Sequence, residues 1–129
     1  MKDLLKILII VLILDYIWIS KYMGKLFGKL VKKMTKKKMK VNLKAAVLAY
    51  ICMVLGLRYL GLPNIKDNNI VNDSLFYGTL LGLLSFGVFD FTNKAVFSDY
   101  SWDVVYVDIA WGCFLNIATL YLTKKIENL

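Results

Sequence analysis

The 129-residue chain contains no histidine, one proline, two cysteines and only nine acids. Without histidine it cannot build a His-ligated zinc site, a Ser-His-Asp triad or a histidine proton shuttle, which removes most familiar hydrolases. Cys52 and Cys113 each sit inside an apolar run rather than in a loop with ligand or disulfide spacing, so both are expected to be small core hydrophobes. No nucleophile, metal-ligand set or nucleotide loop accompanies the acids, and neither a metal nor a cofactor is expected.

Apolar residues, by contrast, are abundant. They make up 59% of the chain, and the mean hydropathy is +0.60. A soluble domain of this size has too little interior to hide so much apolar surface, so lipid is the expected solvent. The formal charge of +8 is concentrated: ten of the seventeen basic residues are lysines between Lys21 and Lys44. A basic segment flanking apolar spans fits anionic lipid headgroups better than nucleic acid, and no nucleic-acid partner is expected.

Hydropathy and turn signals predict an all-α, four-helix transmembrane bundle in a single domain over 1–129, with spans at about 4–22, 45–62, 74–94 and 104–123. The first span, at about 28 Å, matches a bilayer core. It reads as a retained helix rather than a signal peptide, because it is long, contains Asp15 and Trp18, and lacks a small-residue cleavage motif. Between the first two spans, residues 21–40 alternate apolar positions with lysines at helical spacing. This predicts a basic amphipathic segment lying in the headgroup plane, the alternative being that the first span simply continues into water. Lys25, Lys29, Lys32, Lys33, Lys36 and Lys37 are its expected headgroup contacts.

Pro63 and the polar stretch after it end the second span, and Arg58 near that end is expected to snorkel to the interface. Gly78 and Gly82 form a GxxxG pair through which a second copy of the chain is expected to pack. Eleven cations on the first and third loops against five on the opposite flanks place the basic loop 21–44 in the cytoplasm and both termini on the other side.

That topology puts Asp15, Asp90 and Asp108 at one depth, near the cytoplasmic face. An ionised carboxylate in hydrocarbon costs several kcal/mol unless paired, hydrated or protonated, so three at one level are expected to face one another. Asp15 and Trp18, like Asp108 and Trp111, stand three residues apart and share a helical face. Asp90 has Lys94 four residues on as an intrahelical partner, while Tyr50, Thr92 and Asn93 are candidate hydrogen-bonding neighbours of the acids. The bland alternative is that the acids make structural interhelical bonds and the tryptophans belong to an aromatic belt.

Leu14-Asp15-Tyr-Ile-Trp18, Tyr50 to Gly56, Gly82 through Phe89-Asp90-Phe-Thr92-Asn93, and Asp108-Ile-Ala-Trp111-Gly112 together cover nearly the whole chain. In these elements, and in their order, the chain resembles a family of predicted bacterial membrane proteins known as domain of unknown function 2177. The resemblance implies a four-helix membrane domain and brings no substrate, cofactor or reaction. The sequence departs from the family pattern at Phe89, where a tyrosine is expected, and in the lysine richness of its first loop.

Three functions from different classes are compatible with these residues. The acids and their neighbours form a polar intramembrane pocket that binds or passes a proton, cation or small polar solute. Alternatively, one carboxylate serves as base and another as acid in a lipid-modifying enzyme. In the third, the protein is a non-catalytic scaffold whose lysine segment grips anionic lipid.

Overall fold

The computed structural model describes residues 2–129; Met1 and the side chain of Lys2, one of the flanking cations counted above, lie outside the described residues. Within them the chain is helical apart from short connections, with no strand, and runs as four rods. The first comprises α1 (Lys2–Trp18) and α2 (Gly24–Thr35), joined without a break by a π turn at Ile19–Met23. The second is α3 (Leu43–Gly56), extended by a π turn (Leu57–Gly61) and a 3-10 turn (Leu62–Asn64) that carries Pro63. The third is α4 (Ile70–Gly82), a π turn at Leu83–Gly87, and α5 (Val88–Val96). The fourth is α6 (Trp102–Glu127).

The rods Leu43–Asn64, Ile70–Val96 and Trp102–Glu127 are each long and apolar enough to cross a membrane. Local chemistry sets their starts. The Asn42 side chain accepts from the Ala45 amide at 3.1 Å, and Ser101 Oγ from the Asp103 amide at 3.1 Å, satisfying donors that a first turn leaves unpaired. At the end of α2, Lys36 adopts φ 62°, a left-handed stop that costs a residue with a Cβ about 1–2 kcal/mol.

The tightest seam lies between α4 and α6. A Cβ added at Gly78 would fall 2.5 Å from the Ile117 Cα, and one at Gly82 would fall 2.6 Å from the Cys113 Cα. Only bare glycine lets these backbones approach so closely. The Gly78 and Gly82 face, expected to receive a second copy, is therefore occupied by α6 of the same chain. Opposite it, Asn116 donates to the Gly112 carbonyl and Thr119 to the Leu115 carbonyl, both at 2.7 Å, so these buried polar side chains are satisfied within their own helix.

Ile7 and Val11 of α1, Val54 and Leu57 of the second rod, and Leu115 and Leu120 of α6 form the central apolar core. A smaller cluster sets Met23 and Leu30 against Tyr100, Val104 and Val105. The lysine-rich segment forms the expected amphipathic helix, α2, as an unbroken continuation of the first rod. At 1.5 Å per residue the unbroken rod Lys2–Thr35 is about 50 Å long, well beyond a hydrocarbon core of about 30 Å. Part of the apolar stripe of α2 packs on the bundle, Leu30 being buried against Tyr100, Val104 and Val105 while Leu26, Phe27, Val31 and Met34 stay half-buried. Arg58 likewise does more than snorkel: its Nε lies 3.4 Å from Asp3, and its guanidinium sits 5.1 Å from the centre of the Tyr59 ring. Cys113 packs in the glycine seam, whereas Cys52 is exposed rather than in the core.

Candidate functional site

The acids of α1, α5 and α6 converge. Asp15 and Asp108 are each 8% exposed and Asp90 is fully buried. These burials are unusual for carboxylates, so their partners determine what the layer can do. Asp15 accepts two neutral donors from other rods, the Tyr50 hydroxyl on one oxygen and Trp111 Nε1, at 3.0 Å, on the other. Asp90 Oδ1 accepts the Tyr100 hydroxyl at 2.7 Å, while its Oδ2, buried, has no donor. Asp108 lies within hydrogen-bonding reach of Asp90 and close enough to Asp15 to feel its charge.

No cation of the chain pairs with any of the three among the described residues. Lys94, expected to neutralise Asp90, instead donates to the carbonyls of Ser98 at 3.2 Å and Tyr100 at 2.7 Å, with its ammonium 5.5 Å from the centre of the Trp102 ring. Its reach along the end of α5 is taken up in closing the 97–101 loop, which presents Tyr100 to Asp90. Burial, and then the bond to Asp90, hold the Tyr100 hydroxyl above its ordinary pKa, so it remains a donor.

The two acid–indole pairs meet across the bundle rather than along one helix. Trp18 and Trp111 stack with ring centroids 4.7 Å apart and planes 7° from parallel, and it is Trp111, from α6, that binds Asp15 of α1. Trp18 Nε1 is buried without a partner. Among the other candidates, Tyr50 joins the layer through Asp15, and Asn93 lies close to the Tyr100 hydroxyl. Thr92 is exposed and stays outside the cluster, because it sits two positions past the buried Asp90 on a helix whose inward face recurs every three to four residues. Tyr100 was missing from the sequence-derived set. Its one signal was an aromatic residue in the short loop between two acid-bearing spans.

Asp15, Asp108 and the two indoles form part of the wall of a cleft of about 520 Å³. The π turns at Ile19–Met23 and Leu83–Gly87 contribute Ile19, Met23, Ser85 and Phe86, and α3 contributes Ala49, Cys52 and Met53. Single π turns inside α-helices recur at functional sites, since the extra residue re-aims the side chains around it. Beyond the carboxylates and Ser85 the lining is almost wholly apolar or aromatic, and Ala49, Cys52, Ser85 and Phe89 are exposed, so the cleft opens on the flank of the bundle.

Fold and site together define a helical membrane protein with an acid-lined cleft. The chain belongs to the family described as predicted membrane protein, domain of unknown function 2177, whose family model matches residues 1–123. No curated protein and no solved structure matches it.

Proposed function

We propose that this protein binds, and lets pass, a proton or small cationic solute at the carboxylate layer of Asp15, Asp90 and Asp108. The observation that carries this reading is that three buried acids from three rods meet, among the described residues, without a cation against any of them. Acids that served only to lock helices together would be stabilised by cations or full sets of donors, since an uncompensated carboxylate in hydrocarbon costs several kcal/mol. Here Asp90 keeps an oxygen without a donor, and Asp108 is among its neighbours. A proton shared between two carboxyls, or a cation held by both, satisfies such a pair. In this reading Tyr100 and Asn93 orient Asp90, Tyr50 and Trp111 orient Asp15, and Asp108 joins the buried pair to the cleft.

In the membrane, the first rod acts as a fourth span, the basic stretch 21–44 faces the cytoplasm and both termini face the opposite side. Lys25, Lys29, Lys32, Lys33, Lys36 and Lys37 meet anionic headgroups there. Their exposure on a rod that outruns the hydrocarbon, and the excess of cations on that flank, support this placement. Single cysteines introduced at Lys37 and Asp67 in a background lacking Cys52 and Cys113 test it: only the Asp67 position is expected to react with an impermeant reagent added outside intact cells.

Proton and monovalent-cation flux in proteoliposomes tests the function. The wild-type chain is expected to conduct above protein-free vesicles, and Asp90→Asn and Asp108→Asn each to remove that increment. Flux unchanged by both replacements, in protein that remains folded, would defeat the reading.

A further inference from the structure

The cleft is poorly suited to a bare inorganic ion. Its charge is confined to Asp15 and Asp108 on one part of the wall, while Phe86, Phe89, Met53 and Phe27 offer no oxygen to replace the water an inorganic cation would lose. The volume of about 520 Å³ lies in the range that holds a drug-sized organic ligand. Exposed lining residues from α3, the Leu83–Gly87 π turn and α5 leave a lateral approach from the apolar flank. Aromatic rings beside carboxylates are the surroundings that take up alkylammonium groups. A phosphate-bearing head, in contrast, would meet repulsion from both acids. Asp90, a wholly buried neighbour of Asp108 with one oxygen lacking a donor, adds negative charge close to this wall without lining it.

We propose that the cleft binds a long-chain alkylammonium amphiphile that enters from the side, its ammonium against Asp15 and Asp108 and its hydrocarbon along the Phe86, Phe89 and Met53 wall. This rests on reading the acid layer as a cation site and adds, in the cleft beside that layer, an organic cation larger than the solute that passes. Trp18 and Trp111 sit at the ammonium end, so a quencher carried on the chain reports occupancy directly.

The test uses the full chain in phosphatidylcholine vesicles with amphiphiles of one brominated alkyl chain bearing an ammonium, a neutral sugar or a sulfate head. The ammonium compound is expected to quench Trp18 and Trp111 at a membrane mole fraction roughly tenfold or more below the neutral one, the value of a charge-assisted contact. A Trp18→Phe, Trp111→Phe double variant retains only Trp102 and supplies the background. Asp108→Asn is expected to abolish the preference for ammonium. Should that variant fail to fold, Ala49→Phe, at an exposed position on the apolar wall, is expected to weaken quenching by the ammonium chain through occupation of its slot.

Equal quenching by all three heads overturns the proposal, as does quenching unchanged by Ala49→Phe. Competition by tetramethylammonium as strong as by the long-chain compound leaves the cation site standing and removes the amphiphile. Absence of competition by any cation, with flux unchanged by Asp90→Asn and Asp108→Asn, removes both readings. A brominated phosphatidylethanolamine that quenches as well as the simple ammonium reassigns the cleft to a zwitterionic phospholipid and also overturns the proposal.

Discussion

At the end of the bundle where both chain termini lie, acids meet cations. Asp3 pairs with Arg58 at 3.4 Å, and Lys124 lies 3.3 Å from Asp67 and 3.6 Å from Glu127, with both members of each pair partly or largely open to solvent. At the opposite end Asp15, Asp90 and Asp108 are buried, and their partners are hydroxyls, an indole and one another. The first arrangement fixes which rod ends lie side by side, and each exposed pair contributes little. The second carries a large desolvation cost that neutral donors relieve on Asp15 and on one oxygen of Asp90 but not on the other, and under the proposed function a bound proton or cation supplies the remainder. The same residue type thus meets two kinds of surroundings in one small chain, solvated cations at one end and buried neutral donors at the other.

The comparison can be broken most forcefully at the seam that supports both ends. Gly82→Leu places a side chain where the Cys113 backbone stands, and is expected to cost more than about 3 kcal/mol, because backbone cannot yield as a flexible side chain can. Thermal unfolding in detergent should show both ends failing together; an intact fold would mean the seam is not the common support. Next in size, Tyr100→Phe removes the donor to a fully buried carboxylate and is expected to lower stability by about 1–3 kcal/mol. Tyr50→Phe takes one of two donors from Asp15 and is expected to cost about 1 kcal/mol.

The smallest effects belong to the paired end. Arg58→Gln and Lys124→Gln are each expected to change stability by less than about 1 kcal/mol, and by less still in high salt, since their partners face solvent and ions screen them. The ordering Tyr100→Phe above Arg58→Gln is the comparison in measurable form. An Arg58→Gln penalty matching that of Tyr100→Phe, insensitive to salt, would erase the contrast between the two ends.

Several parts of this arrangement were legible in the chain. The four apolar stretches, the turn chemistry around Pro63 and the common depth of the three acids follow from periodicity and span length, which are local properties. The convergence of Asp15 with Asp108 was likewise foreseeable, because hydrocarbon leaves carboxylates few other places to go. Lys94 shows where such reasoning stops. Its spacing from Asp90 suits an intrahelical pair, yet the carbonyls of Ser98 and Tyr100 lie nearer its ammonium once the loop folds back. The two tryptophans look like belt residues or local companions of their acids, and only the juxtaposition of α1 and α6 stacks them and brings Trp111 to Asp15. Gly78 and Gly82 advertise close packing without naming the partner, which proved to be α6 of the same chain.

By itself the sequence determined that this is an all-helical membrane protein with a basic segment after its first helix and three acids at one level, because hydrophobic run length, helical rise and the cost of charge in lipid act along the chain. Only the tertiary structure decided that Tyr100 rather than Lys94 meets Asp90, that Leu30 of α2 packs against Tyr100 and α6, and that residues of two π turns line a cleft beside the acids. These depend on which surfaces come within a few ångströms of each other, and the contacts that decide it, hydrogen bonds and dispersion, act only at that range.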